Sequence, residues 1–280
     1  MNPISCYTSL IDVVQPTILQ GDGNSQTATN LLYLNPLQST ATTAVRSEGM
    51  ALGYFRLTNR AAGSAYVGIG VRIPNYYWTA GQWVDATTTF TDDTTDAQDV
   101  GTSDFDLETT TNNDGYIISS NVLFNAALID IGTASAGAGA VARAARYSNS
   151  AGTGWSALTT LVLTGSAVHY GTSTETVVAF QTPSDWGRHV SGLGTGTPVD
   201  RYLLNVRATT APNGAGLVAG IANSITLYRI YFLESIAADA SLELNISPSE
   251  LWMPSGDALV AFFATADAEN SVRALVRPRS

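Results

Sequence analysis

Residues 202–209 read YLLNVRAT, and their alternation decides the fold class. Tyr202, Leu204, Val206 and Ala208 fall on one face of an extended chain, while Leu203, Asn205, Arg207 and Thr209 take the other. Successive side chains of a strand point to opposite faces, so this is a half-buried strand, packed on one side and polar on the other. The rhythm recurs in AYVGIGVRI (65–73), where Val67, Ile69, Val71 and Ile73 share a face. SITLYRIYFLES (224–235) places Ile225, Leu227, Tyr231 and Leu233 together, interrupted by Arg229. NSVRALVRP (270–278) sets Val272, Ala274 and Val276 against Arg273, Leu275 and Arg277. Clusters such as NNDG (112–115), GLGTGTP (192–198) and PNGAG (212–216) supply turns between the strands.

Helical signals are few. ASAGAGAVARAARYS (134–148) is Ala-rich, but each glycine costs a helix about 1 kcal/mol against Ala and no cap precedes it. It reads as a loop running into a strand from Val141 to Tyr147. SPSEL (247–251) resembles a capping box and opens at most one helical turn. The expected fold is all-β, an antiparallel sandwich of jelly-roll-like type. Residues 1–45, rich in Thr, Ser, Asn and Gln, read as an extended N-terminal arm with a few strands. Residues 46–240 read as the sandwich, and 241–280 as a short C-terminal β-meander.

Composition narrows the function. The 280 residues bury a sizeable core, yet only 13% are charged and the formal net charge is −10. Nothing basic is clustered to neutralise phosphates, so no direct nucleic-acid partner is expected. All thirteen basic residues are Arg, whose fixed bidentate fork suits packed subunit contacts. A lone cysteine, Cys6, makes neither an intrachain disulfide nor a Cys-based zinc site. MNPISCYTSL lacks the basic and apolar regions of a signal peptide, so synthesis in a cytoplasm is expected. ALVAFFATA (258–266) is far too short to span a bilayer, and no membrane association is expected.

Candidate sites are sparse. The acidic stretch TDDTTDAQDVGTSDFDLE (91–108) offers oxygen ligands for Ca²⁺, but lacks the EF-hand spacing and reads as a solvated acidic loop. The only histidines, His169 and His189, lie in no HExxH motif, and no G-x-S-x-G elbow exists. No catalytic residue, metal site or cofactor is therefore assigned. In PNYYWTAGQW (74–83), Tyr77, Trp78 and Trp83 are the candidate contacts to a sugar or partner; their alternative role is to plug the sandwich core. In QTPSDW (181–186), Pro183 ends a strand, Asp185 accepts backbone hydrogen bonds in the turn, and Trp186 closes the sandwich end, a structural corner rather than a ligand site.

A family resemblance adds to this reading. FTDDTTDAQD, DFDLETTTNNDGYII, NVLFNAALIDI, YSNSAGTGWSAL, FQTPSDW and YLLNVRAT follow one another between about Thr91 and Arg207. Together they resemble the β-sandwich domains of tailed-bacteriophage virion proteins, the capsid decoration (cement) and fibre-associated types. Trp155 matches the family's Trp-bearing strand; Pro183, Asp185 and Trp186 match its Pro-x-Asp-Trp corner. The strand from Tyr202 to Arg207 matches the one that follows. The resemblance implies a non-enzymatic virion protein, assembled in the host cytoplasm, that binds the outer capsid shell as a homotrimer and bridges capsid subunits. Its partners would be the major capsid protein or other virion proteins. The alternative is a head- or tail-fibre or baseplate protein whose sandwich binds a host surface glycan or receptor.

Overall fold

The structure, a computed structural model, describes residues 17–22, 31–34, 50–99, 104–136, 142–159, 161–163, 170, 175–211, 218–245, 252–253, 259–264 and 270–278. In chain order the strands begin with β1 (Thr17–Asp22), β2 (Leu31–Leu34), β3 (Met50–Thr58), β4 (Ala65–Ile73), β5 (Trp78–Val84) and β6 (Thr89–Asp92). One short helix, α1 (Thr94–Gln98), precedes β7 (Phe105–Asp106), β8 (Gly115–Ser120), β9 (Ala126–Thr133), β10 (Ala142–Ser148) and β11 (Trp155–Ala157). Then come β12 (Leu161–Leu163), β13 (Glu175–Phe180), β14 (Tyr202–Thr210) and β15 (Ile221–Ile236). The chain closes with β16 (Ser241–Asn245), β17 (Trp252–Met253), β18 (Leu259–Phe263) and β19 (Ser271–Pro278). The protein is all-β, with antiparallel sheets packed face to face.

The chain forms two compact units, Met1–Arg72 with Ile230–Ser280, and Ile73–Arg229. The expected boundaries at 45 and 240 are not where these units divide; the divisions fall inside β4 and β15. The reason lies in pairing: β15 pairs with β9 as far as Tyr228, then runs against β4, where a Cβ on Gly68 would meet Ile230 Cγ2 at 2.4 Å. Arg229, which breaks the apolar alternation in the sequence, stands at the change.

The unit built from both chain ends has one sheet ordered β1-β19-β3-β16, with β17 also on β3. Its facing strands are the end of β15, then β4, β18 and β2. Phe55, Leu57 and Val272 from the first sheet meet Val67, Ile69, Val71, Ala261 and Phe263 from the second. Asn59, fully buried, ties the turns: its amide donates to the carbonyls of Gly63 (2.9 Å) and Ala237 (3.1 Å), and its oxygen accepts the Ala61 N–H (3.1 Å). The arm does contain strands, β1 and β2. The C-terminal segment is not a meander, because β16, β17 and β19 each pair with β3, whereas β18 inserts between β4 and β2. Strands from the first part of the chain take the places that a meander's own neighbours would fill.

The continuous unit is a sandwich of a six-stranded sheet, β11-β10-β14-β8-β5-β6, and a sheet in which β12, β13, β9 and the start of β15 are neighbours. Consecutive strands β8, β9 and β10, and again β13, β14 and β15, alternate between the two sheets. Trp78, Ile118, Tyr147, Leu204 and Val206 face Ala127, Ile129, Val178, Phe180, Ile225 and Leu227 across the core. The strand expected from Val141 to Tyr147 is β10. The turn expected at 247–251 lies outside the described residues.

One polar cluster is sealed in this core. Arg143, on the inner face of β10, pairs with Glu108, and their side chains are 2% and 1% exposed. Glu108 also accepts the Gly220 N–H at 3.3 Å, and the Arg143 guanidinium lies 4.4 Å from the centre of the Tyr170 ring. The Tyr170 and Tyr116 hydroxyls share a 2.8 Å hydrogen bond; burial pushes the Tyr116 hydroxyl well above its ordinary pKa and that of Tyr170 up to about 12. Removing one partner of a buried pair strands the other charge, which costs about 3–5 kcal/mol, whereas replacing both by apolar groups of similar volume is close to neutral. Urea unfolding of Glu108→Gln is expected to show a loss of about that size. The double variant Glu108→Leu/Arg143→Met is expected to recover most of it; equal losses would show that the pair's charge is immaterial.

Candidate functional site

The outward face of the six-stranded sheet carries the polar half of the YLLNVRAT pattern. Its register places Arg207 level with Ala144 on β10, Gly115 on β8 and Trp83 on β5. One step along, Asn205 stands level with Arg146, Ile117 and Gly81. Arg146 and Arg207 are thus diagonal neighbours on paired strands, within reach of each other's long side chains. Gly115 has to be glycine here: a Cβ would lie 2.1 Å from the Val206 carbonyl oxygen and 2.8 Å from Arg207 Cα.

Arg146 is held from four sides. Its Nε donates to Asn205 Oδ1 at 2.8 Å and its Nη2 to Asp85 Oδ1 at 3.1 Å. Its guanidinium lies 4.9 Å from the Trp155 ring centre and 5.4 Å from that of Trp83, a cation beside two indoles that meet edge to face at 75°. Asp85 also accepts the Trp83 indole N–H at 3.2 Å and sits 3.9 Å from Arg207 Nη1. Two guanidinium groups therefore share one carboxylate. Burial, and then the charge of Arg207, pull the pKa of Arg146 below its ordinary value against the pull of Asp85. Asp114, next in line, gives Arg207 no bond: its oxygens accept the Asp85 N–H (2.9 Å) and the Thr109 hydroxyl (2.9 Å). Arg207 Nε is buried without a hydrogen-bond partner.

The expected aromatic contacts are distributed differently. Trp78 and Trp83 are each 1% exposed, so neither presents a ring to a ligand. Trp78 belongs to the core between the sheets, and Trp83 is covered on the outer face by Leu193 and Gly194. Tyr77 is half-buried at the end of a 3-10 turn (Asn75–Tyr77); its neighbour Tyr76, 75% exposed, is the ring that faces solvent. Arg146, Arg207 and the half-buried Trp155 form the cluster instead. The alternation of 202–209 signalled Arg207 as outward; Arg146 rather than Arg143 joins it because β10 alternates regularly from Arg143 to Tyr147, with Ala145 and Tyr147 facing inward.

At the corner, Pro183 follows the end of β13, and its carbonyl accepts the Trp186 N–H at 3.4 Å. Trp186 lies among Phe124, Phe180, Tyr202 and Tyr147, at ring-centre distances of 5.2, 5.6, 5.8 and 6.1 Å. Its indole N–H donates to Ser148 Oγ at 3.2 Å. The Asp185 carboxylate accepts the Tyr147 hydroxyl at 2.8 Å, a cross-strand side chain in place of the expected turn amides.

The acidic stretch does not gather its carboxylates. Glu108 enters the core, Asp92 accepts the Thr94 N–H (3.0 Å) and hydroxyl (2.6 Å) at the start of α1, and Asp93 faces Asp96. Among the described residues no three acidic, His or Cys side chains converge as metal ligands. Among the same residues no helix is long and apolar enough to cross a membrane. No family model, curated protein or solved structure matches the chain.

Asp185→Ala is expected to destabilise the protein by about 1 kcal/mol in a denaturant titration, and to leave any ligand affinity of the Arg146–Arg207 face unchanged. Asp93 adds a pH dependence. Burial, reinforced by a hydrogen bond and repulsion from Asp96, raises its pKa from 3.8 to about 6. A raised carboxyl pKa means that the folded state holds the proton more tightly, so its stabilising contribution is complete below 3.8 and is lost as pH rises through about 6. Asp93→Asn, permanently neutral, is expected to melt higher than the parent at pH 7 and at the same temperature near pH 4. A difference that does not narrow across that window would refute the assignment.

Proposed function

We propose that the protein is a non-enzymatic structural protein of a tailed-bacteriophage virion, a decoration protein that binds the outer capsid shell as a homotrimer. The observation that carries this reading is the placement of the arm. Among the described strands, β1 and β2 are the outermost members of their strand orders, at the edges of the unit formed from both chain ends. An edge strand presents unpaired N–H and C=O groups, and sheet continuation across an edge is a low-cost way of joining proteins. The resemblance between Thr91 and Arg207 points to the same class of protein. The net charge of −10 suits an outer surface rather than one facing DNA. In this reading the terminal unit bridges capsid subunits through its arm, and the inserted sandwich is the displayed module.

Capsids lacking the protein are expected to release DNA at lower temperature than decorated ones, with stability restored by adding the purified protein. Identical release temperatures would overturn the cementing role.

A second reading, a fibre or baseplate protein that binds a host surface glycan, is favoured by one observation: the outward cluster of Arg146, Arg207 and half-buried Trp155. Indole and guanidinium groups side by side suit the apolar and polar faces of a sugar ring.

A further inference from the structure

On the outward face of the six-stranded sheet Arg146 is held by two hydrogen bonds, whereas Arg207 has only a 3.9 Å ion pair to Asp85, the carboxylate that Arg146 already bonds. The neighbours of Arg207 in register, Ala144 and Gly115, carry a methyl group and a hydrogen atom, so neither covers the guanidinium from the adjoining strands. The side chain keeps 27% of its surface exposed while its Nε is buried and unpartnered, and its nearest carboxylate oxygen, on Asp85, is 3.9 Å away. That distance is beyond a hydrogen bond, and Asp85 is already engaged by Arg146 and by the Trp83 indole. The buried Nε is out of a ligand's reach, so an arriving anion bonds the exposed part of the guanidinium. A guanidinium fork is matched in geometry by a carboxylate, which it binds through two parallel hydrogen bonds.

From these observations we infer that the ligand of this face is an acidic saccharide, a uronic acid unit whose carboxylate seats on Arg207, with Arg146 adding charge and Trp155 meeting the ring's CH face. The inference rests on the second reading above, that the face holds a sugar. The saccharide is favoured over an acidic peptide because the half-buried Trp155 indole, packed against Arg146, adds an apolar ring to the face that carries Arg207. Asp185, Trp186 and the corner they form take no part.

The test is calorimetric titration of the full-length protein with trigalacturonate, with its neutral methyl-esterified counterpart, and with a triglutamate peptide. Trigalacturonate is expected to bind saturably and at least about tenfold more tightly than the ester, since a charge-assisted hydrogen bond contributes about 1.5–3 kcal/mol. Arg207→Gln is expected to remove that preference, bringing the acid's affinity down to about that of the ester. Arg207→Lys keeps the charge but loses the fork, and is expected to fall between the two; it serves where the Gln variant does not fold. Equal binding of acid and ester overturns the carboxylate assignment while the sugar-binding reading stands. Triglutamate binding as tightly as trigalacturonate overturns the saccharide assignment, and binding of none of the three overturns both.

Discussion

Strand β14 is paired on both sides, with β10 and with β8, and every other feature of the continuous unit depends on that double register. Its inward residues, Leu204 and Val206, help to fill the sandwich core, and its outward residues, Asn205 and Arg207, build the polar face. Because side chains alternate at period two, a one-residue slip would turn Arg207 into the core and expose Leu204 and Val206. Burial of that apolar row therefore holds the outward row in place. The corner secures the same strand at its start. Ser148 Oγ accepts both the Leu203 N–H and the Trp186 indole N–H, each at 3.2 Å, and donates to the Gly187 carbonyl at 2.5 Å. One hydroxyl thus joins β10, β14 and the loop after β13.

Residues with a strong period-two pattern disclosed their structure directly. YLLNVRAT and AYVGIGVRI are strands with the expected inward sets, and QTPSDW is a corner with Trp186 in the core. What stayed hidden depends on partners distant in sequence. Nothing local shows that β18 inserts between β4 and β2 while β19 pairs with β3, since both segments read equally well as neighbours in a hairpin. The division of β15 near Arg229 was visible as a break in alternation, but its meaning needed the identities of β9 and β4. Trp78 and Trp83 lie close together in an aromatic run, yet they belong to opposite faces of the sheet. Odd spacing along β5 separates them, one into the core and the other beneath Leu193 and Gly194. Their burial follows from tertiary cover that composition does not report.

The two arginines of β10 show how far side-chain identity underdetermines role. Arg143 faces inward, where one buried carboxylate neutralises it and the Tyr170 ring covers it. Arg146, three residues along, faces outward because an odd number of steps separates them on a strand. Its carboxylate is shared with Arg207, and its side chain keeps 17% of its surface exposed. A lysine would fill neither position well. A point charge on a flexible stem cannot set a planar group against the indoles while bonding Asn205 and Asp85 at once. The chain's exclusive use of Arg acquires a structural meaning at these sites. The inward pair sets charge against charge in a sealed core, with Arg143 Nε and Nη1 buried there without hydrogen-bond partners. The outward pair is open on the Arg207 side, where the guanidinium keeps 27% of its surface exposed and shares the Asp85 carboxylate with Arg146.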